Sequence, residues 1–225
     1  MREFMLASLV VLTAGAASAE TRDLSNFTSV NVSGRYRAEI AVGESYSVTL
    51  DGADAARLRT VVEDGVLKIE PARRPWFGEP RYDVHVRVTL PRLDGVAAAR
   101  GATVRAAAGG PCTSFSAAAA MGADLDVVGI SCETVEAAAA MGADLDLAGE
   151  CGALDISAAM GADADADALR CRTVDASAAM GAGISAYASI TYDAAASMGA
   201  DVRIRGEARQ GDRSAVMGGS VTSKN

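Results

Sequence analysis

Pairs of aspartates recur at a fixed spacing in the second half of this 225-residue chain. They occupy the third and fifth positions after the methionine of a repeated Met-Gly dipeptide, and Gly183, Ser185 and Arg203 interrupt the two series. If successive units stack as β rungs, equivalent carboxylates lie about 5 Å apart and repel each other by about 0.8 kcal/mol in water. The six aspartates are Asp124, Asp126, Asp144, Asp146, Asp163 and Asp165.

Three interpretations of these carboxylates stay open. They could hold calcium, as in the Gly- and Asp-rich repeats of RTX-type rolls, although those repeats have half this period. One pair could act as acid and base on a glycosidic bond, as in β-helical enzymes that cleave polysaccharides. We favour the third interpretation, a solvated acidic face that keeps a repetitive protein soluble. Apart from calcium, the sequence predicts no cofactor.

Four cysteines each precede one of the first four Met-Gly dipeptides by nine residues, at Cys112, Cys132, Cys151 and Cys171. On stacked rungs their Cα atoms would lie ~4.8 Å apart, within the range of about 4.4–6.8 Å that disulfides span. Cys112 could pair with Cys132 and Cys151 with Cys171, or only the middle two could pair. Free thiols, packed as small apolar residues, are the alternative.

A proline-rich segment, residues 71–80, carries the only tryptophan of the chain beside two arginines. Because proline cannot donate to a strand ladder, we predict a loop here. Arg73, Arg74, Trp76 and Phe77 could form a binding tip for a sugar, a carboxylate or a partner protein. We favour a simpler hypothesis, in which the two rings fold back over the end of the core.

The sequence offers no constellation of catalytic residues. His85 is the only histidine, and it lies in a predicted surface strand without an evident partner. A Gly-Lys-Ser/Thr phosphate-binding loop does not occur in the sequence either. We therefore expect a protein that is not an enzyme.

The elements that position these residues follow from the Met-Gly repeat. A constant period near 20 residues is typical of a solenoid, whose units bury their apolar faces only against their neighbours. Within a unit, Val135, Ala137, Ala139 and Met141 share one parity, which predicts one interior with methionines filling the gaps between alanines. A glycine in every unit disfavours helix by about 1 kcal/mol each. The dipeptides begin at Met121, Met141, Met160, Met180, Met198 and Met217.

We therefore expect an all-β fold, a parallel β-helix or β-solenoid with coils of about 20 residues. Residues 20–225 are expected to form one domain, with less regular strands in residues 20–95 and the Met-Gly coils in residues 96–225. Turns are predicted at Gly34, Gly43 and Gly65, and a helical turn within residues 53–62. The larger N-terminal residues should cover one end of the stack, and the polar residues 220–225 the other.

The first 19 residues have the pattern of a secretory signal peptide: Arg2, an apolar run, and Ala17-Ser18-Ala19 before Glu20. No later segment is apolar enough to span a membrane. The net charge of -8 argues against nucleic acids and anionic membranes as partners. We expect an exported chain in the periplasm, at the cell surface or outside the cell.

The order of segments resembles the GIN-domain family, described as putative auto-transporter adhesin head domains. The similar segments are residues 27–34 (FTSVNVSG), 38–44 (AEIAVGE) and 84–91 (VHVRVTLP), followed by Gly-bearing coils. The resemblance implies a right-handed β-helix in the bacterial cell envelope without established active-site residues. The expected function is that of a non-enzymatic, adhesin-like module for an envelope protein or glycan. The alternative is a carbohydrate-binding or polysaccharide-cleaving β-helix.

Overall fold

The computed structural model describes residues 19–73, 78 and 80–224. The predicted signal peptide lies outside the described residues except for Ala19, and so do Arg74, Trp76 and Phe77. The described chain forms one continuous hydrogen-bonded sheet. Within the described residues, no helix is long and apolar enough to cross a membrane.

Seventeen strands and one short 3₁₀ turn, Ala55–Arg57, make up the regular structure of the described residues. In chain order the strands are β1 Glu20–Arg22, β2 Ser29–Ser33, β3 Arg35–Val42, β4 Ser47–Asp51, β5 Leu58–Glu63, β6 Val66–Pro71, β7 Arg81–Leu90, β8 Gly95–Ala99, β9 Thr103–Ala107, β10 Cys112–Ala120, β11 Asp124–Ala140, β12 Asp144–Ala159, β13 Asp163–Ala179, β14 Gly183–Ser197, β15 Asp201–Arg205, β16 Arg209–Val216 and β17 Ser220–Lys224.

The fold is a β-solenoid with coils of about 20 residues, so the predicted fold class is confirmed. Strands β10 to β14 stack in parallel, each on the next coil, with like residues in register. Leu125 of β11, for example, pairs with Leu145 of β12, which pairs with Ala164 of β13. The Met-Gly period is thus the length of one coil.

Alternate side chains of each coil point into a narrow interior in which alanine predominates. Val135, Ala137 and Ala139 are buried, and so are Ala143 and Leu145 on the far side of the corner. An alanine methyl contributes only about 0.8 kcal/mol on burial. Backbone hydrogen bonding between coils therefore has to supply much of the stability.

The repeat strands β11 to β14 are long, with 15 to 17 residues each. Strand β11 has 17 residues and runs through two sides of its coil, with a register shift between Val127 and Ile130 where the chain bends. On the next coil the bend contains Gly149, whose φ is 142°. A Cβ atom at Gly149 would lie 2.1 Å from the backbone oxygen of Ile130, so only glycine fits there.

The methionines do not lie in the interior, and this prediction was wrong. The Met residues of the corners have φ between 49° and 56°, and each is followed by a glycine that also has positive φ. Two consecutive left-handed residues turn the chain, so the flanking alanines stay inside while the methionine side chain leaves the coil on its outer side. Met141 and Met160 are accordingly 44% and 46% exposed.

Larger residues and antiparallel strands close the N-terminal end. We predicted that the larger N-terminal residues would cover this end. Strand β4 pairs antiparallel with β1 and β7, and β5 with β6. Phe27, Leu50 and Ile69 are completely buried there. At the other end, β17 pairs with β15 as the last rung, while all residues of β16 are exposed.

Candidate binding surface

The side of each coil that precedes the Met-Gly corner presents small residues to solvent. In the outer column Ala140 pairs with Ala159, which pairs with Ala179, and the next column is built in the same way. A shallow, mostly apolar depression lies over these columns. We call this surface the alanine-serine face; it consists of Ala118, Ala120, Ala138, Ala140, Ser157, Ala159, Ser177, Ala179, Ala195 and Ser197.

A column of carboxylates borders the alanine-serine face on the side away from the corner. Glu136 pairs with Asp155, Asp155 with Asp175, and Asp175 with Asp193. Partial burial raises the pKa of Asp175, and the charges of Asp155 and Asp193 raise it further. The face thus combines an apolar floor with one negatively charged margin.

The predicted aspartates form two stacked columns on the side that follows the corner. Asp124, Asp144 and Asp163 are in register, and so are their neighbours two residues later. Partial burial and the charges of Asp124 and Asp163 raise the pKa of Asp144. Partial burial and the charges of Asp165 and Asp126 raise the pKa of Asp146 in the same way. Like charges along each column thus add to the effect of burial.

One interpretation of the aspartate columns is a calcium site. In the part of the chain that the structure describes, no group of three or more His, Cys, Asp or Glu is arranged to hold a metal ion. The acidic columns are interrupted at Gly183 and at Ser185, which stack directly on Asp163 and Asp165. Calcium binding by the six aspartates stays a prediction that the structure does not test.

Asp167 is a polar residue that the sequence pattern did not single out. Its carboxylate lies 3.2 Å from Nε of Arg205, and its Oδ1 atom has no hydrogen-bond partner. Burial and the charge of Asp165 raise its pKa, against the opposing effect of Arg205. Comparing the repeats could have identified Asp167, because neither of the neighbouring coils has an acidic residue at the corresponding position.

The four cysteines stack in one column. The structure joins Cys112 to Cys132 and Cys151 to Cys171, with Cα atoms 4.5 Å apart in each pair. Cys132 and Cys151 are also in register but belong to different bridges. Each bridge thus ties one coil to the next.

The other predicted site residues are dispersed. Arg73 is exposed just after β6, and the remainder of the predicted binding tip lies outside the described residues. His85 does have a neighbour, since its Nε2 atom lies 3.3 Å from Oε1 of Glu39 on the adjacent strand β3. This pair lies on the outside of the N-terminal region and in line with the aspartate columns, since Glu39 stacks on Arg105 and Arg105 on Asp126.

A second depression lies at the N-terminal end of the alanine-serine face. Asn31, Ser33, Lys68, Glu70 and Arg100 contribute its polar lining. Neither this depression nor the one over the alanine-serine face brings two carboxylates together against an aromatic wall. A glycosidase of the paired-carboxylate type would need two positioned carboxyl groups.

The match to a known family agrees with this architecture. The model of the family described as "putative auto-transporter adhesin, head GIN domain" matches residues 26–208. The chain belongs to this family. The resemblance in the sequence is thereby confirmed, and an adhesin-like role is the function that the family description supports.

Solved structures share the fold over nearly the whole chain. A putative adhesin from Bacteroides fragilis has a TM-score of 0.84 at 14% identity, covering 92% of this chain and 96% of that one. A putative lipid binding protein from Parabacteroides distasonis has a TM-score of 0.66 at 15% identity, covering 94% and 98%. A putative adhesin from the same species has a TM-score of 0.65 at 13% identity, covering 92% and 96%. At such identities the likeness concerns the fold alone. No curated protein matches the chain significantly.

Proposed function

We propose that the chain is an exported, non-enzymatic adhesin-like module that binds an envelope protein or a glycan through its alanine-serine face. The observation that carries the proposal is this face itself, a regular outer surface repeated in register from β10 to β14. Membership in a family described by an adhesin head domain supports the same role.

The composition of the face should keep the loss of side-chain entropy small when an extended partner binds. Alanine loses no side-chain rotamer freedom on burial, and serine little, so binding does not have to order long side chains. The carboxylates from Glu136 to Asp193 add hydrogen-bond acceptors at a repeat of ~4.8 Å along one margin. Hydroxyl groups of a glycan or amides of an extended peptide could bind such a margin, and contacts repeated over several coils would add avidity.

Export is part of the proposal and is supported by two features. The first 19 residues have the pattern of a signal peptide. The two bridges between coils suit an oxidising compartment, where disulfides form and persist. The periplasm, the cell surface and the extracellular space all meet this condition.

Binding to a glycan array and to a panel of purified extracellular glycoproteins tests the proposal. The test variant carries Ala138→Gln, Ser157→Gln and Ser177→Gln, three neutral but bulky side chains in one column of the face. The control variant carries Asp124→Asn, Asp144→Asn and Asp163→Asn on the other side of the corner. We expect saturable binding that the glutamines reduce at least tenfold and the asparagines leave unchanged.

Two results would contradict this function. If the asparagines abolish binding and the glutamines do not, the partner uses the aspartate columns instead. If no ligand in either collection binds, the adhesin-like role fails. Shortening of a bound glycan during incubation would favour the polysaccharide-cleaving alternative.

A further inference from the structure

All methionines of the described chain lie at one kind of position. The sequence has eight, of which Met1 and Met5 precede the described residues. The other six each begin a corner of the solenoid, and none of them is buried. Methionine usually fills irregular gaps in a core, and here it does not.

The backbone does not call for methionine at these corners either. Their φ values of 49–56° lie in the left-handed region, which non-glycine residues seldom adopt and which Asn and Asp tolerate best. The preceding corner has Arg100 in the same conformation, with φ 61°, so the turn forms without a methionine. Since neither burial nor backbone geometry selects the residue, the thioether group itself is the feature that the repeats share.

The corners are held in register by their own backbone hydrogen bonds. The amide of Gly122 donates to the carbonyl of Met141 at 3.1 Å, and the amide of Gly142 donates to that of Met160 at 3.2 Å. The same bond recurs at the next two corners. Successive methionine Cα atoms therefore lie ~4.8 Å apart, with similar φ values and similar exposure. We call this column the thioether ladder; it consists of Met121, Met141, Met160, Met180 and Met198.

The spacing of the ladder suits a soft monovalent cation. Thioether sulfur is an uncharged, soft ligand that selects Cu(I) over hard cations such as calcium. Zinc–sulfur bonds in proteins are about 2.3 Å long. At this bond length an ion with two opposite sulfurs needs them roughly 4.6 Å apart, and slightly more for the larger Ag(I). That separation is close to the distance between coils. The flexible methionine side chain can adjust to the small difference between the sulfur–sulfur separation and the spacing of the coils.

The charges around the ladder favour a cation as well. Asp124, Asp144 and Asp163 follow their methionines by three residues and face solvent on the adjoining side of the coil. Among the described non-glycine residues with positive φ, Arg100 is the basic one, and it precedes the ladder at its N-terminal end. A negative potential beside the sulfurs raises the local concentration of cations.

We propose that the thioether ladder binds Cu(I) or Ag(I) between successive coils. Each ion bridges the sulfurs of two stacked methionines, and the column of five holds two ions without sharing a ligand. The site requires no deprotonation, because a thioether has no proton to lose. Binding by His, Cys or carboxylate groups would instead weaken as the pH falls.

A silver titration of the full chain tests this binding. The chain is kept oxidised, treated with iodoacetamide to block any free thiol, and titrated with silver nitrate in chloride-free buffer. Native mass spectrometry counts the bound ions, and NMR of ¹³C-labelled methionine methyl groups identifies the ligands. We expect two ions, shifts confined to the ladder methyl groups, and affinities that agree within about twofold between pH 5 and pH 7.5. Calcium at millimolar concentration should leave the methyl signals unchanged.

A matched pair of variants assigns the binding to the stack. Met141→Leu, Met160→Leu and Met180→Leu together remove the central sulfurs at nearly constant volume, and we expect affinity to fall at least tenfold. Met217→Leu removes a sulfur at the last corner, where the flanking pairs place Met217 next to Met198 but its side chain is 80% exposed, against 44–49% in the ladder. This variant should bind two ions like the parent chain. Met1 and Met5 are common to all samples.

Either of two results overturns the proposal. One is a triple leucine variant that binds silver as the parent chain does. The other is an absence of shifts in the ladder methyl signals of the parent chain at saturating silver, a result that stands even if the triple variant does not fold. Binding at pH 7.5 that is lost at pH 5 would also exclude thioethers as the ligands.

Discussion

The two regions of the molecule bury different kinds of side chain in their interiors. They are the N-terminal region, residues 19–99, and the repeat coils, residues 100–224. The N-terminal region buries large side chains such as Phe27 and Leu50 and closes the stack with antiparallel strands. About half of the residues that the coils bury are alanines, and the others are larger residues such as Leu145 and Ile156. Their stability must come from register and nearest-neighbour hydrogen bonds, so errors in backbone geometry should be more damaging there than the loss of one methyl group.

The two regions also differ in how their carboxylates are arranged. Asp54, Glu63 and Asp94 in the N-terminal region lie 2.6–2.8 Å from basic partners. These contacts, with a backbone amide as the main cause at Asp54, lower the three pKa values. In the coils, burial and like charge raise the pKa of Asp144 and of Asp146. Acid should therefore weaken the first region while it relieves repulsion in the second.

The largest effect should come from backbone geometry in a coil. Gly149→Ala places a Cβ atom 2.1 Å from the carbonyl oxygen of Ile130 at φ 142°, so we expect a loss of about 4 kcal/mol in the free energy of unfolding. Gly142→Ala in the same coil meets no atom within 4 Å and should lose only about 1 kcal/mol. Urea denaturation measures both. Equal losses would mean that the bend at Gly149 is not as tight as described.

Side-chain volume should distinguish the two interiors. Ile69→Ala leaves a cavity among large residues and should destabilise the N-terminal region by about 3 kcal/mol. Ala176→Leu overfills the narrow coil interior, where Ala176 is completely buried and stacks on Ile156, at a cost of about 2 kcal/mol. Thermal unfolding gives both values. A coil that accepts leucine without loss would contradict a close-packed alanine interior.

The bridge between the two later cysteines should stabilise the coils by closing a loop. Replacing Cys151 and Cys171 together by serine should lower the free energy of unfolding by roughly 2–3 kcal/mol. Mass spectrometry after alkylation under non-reducing conditions checks the pairing directly. Peptides that link Cys132 to Cys151 would show that the bridges join the other coils.

Protonation should act with opposite sign on the two regions. The pKa of folded Asp146 is raised, so its stabilising contribution is complete below the ordinary value near 3.8 and is lost as the pH rises through the raised value. Asp146→Asn should therefore increase stability at pH 7 by less than about 1 kcal/mol, with no gain near pH 3. The melting temperature as a function of pH measures this difference.

Asp94→Asn is the control from the N-terminal region. Its pKa is lowered by Arg92, so its contribution is present above the ordinary value and lost as the pH falls through the lowered one. This substitution should reduce the melting temperature at pH 7 and have little effect in strong acid. A reduction by both variants at pH 7 would contradict the contrast between paired and stacked carboxylates.

The smallest effect should follow from replacing a corner methionine. Met160→Asn loses some apolar contact but gains a residue that tolerates φ near 56°, so stability should change by no more than about 0.5 kcal/mol. A methionine buried in the interior would instead lose about 3 kcal/mol on becoming polar. Chemical denaturation distinguishes these values clearly.

The repeat made the coil length and the stacked aspartates predictable, because period and parity map directly onto a solenoid. The place of the methionines was not predictable in this way. Met141 has the parity of Ala139 and Ala143, and parity cannot reveal that a left-handed turn directs it outward. The alanine-serine face was missed for a related reason. Alanine fits a narrow interior and a flat surface equally well, so the residue type of Ala138 does not indicate whether it is buried or exposed.

In-register stacking of the coils is the central claim, and anomalous diffraction from selenomethionine-labelled crystals tests it most directly. We expect five selenium sites in one row along an outer edge, roughly 5 Å apart, with the site of residue 217 beyond the end of that row. Selenium atoms scattered over the molecule, or enclosed in its interior, would contradict this structure of the coils.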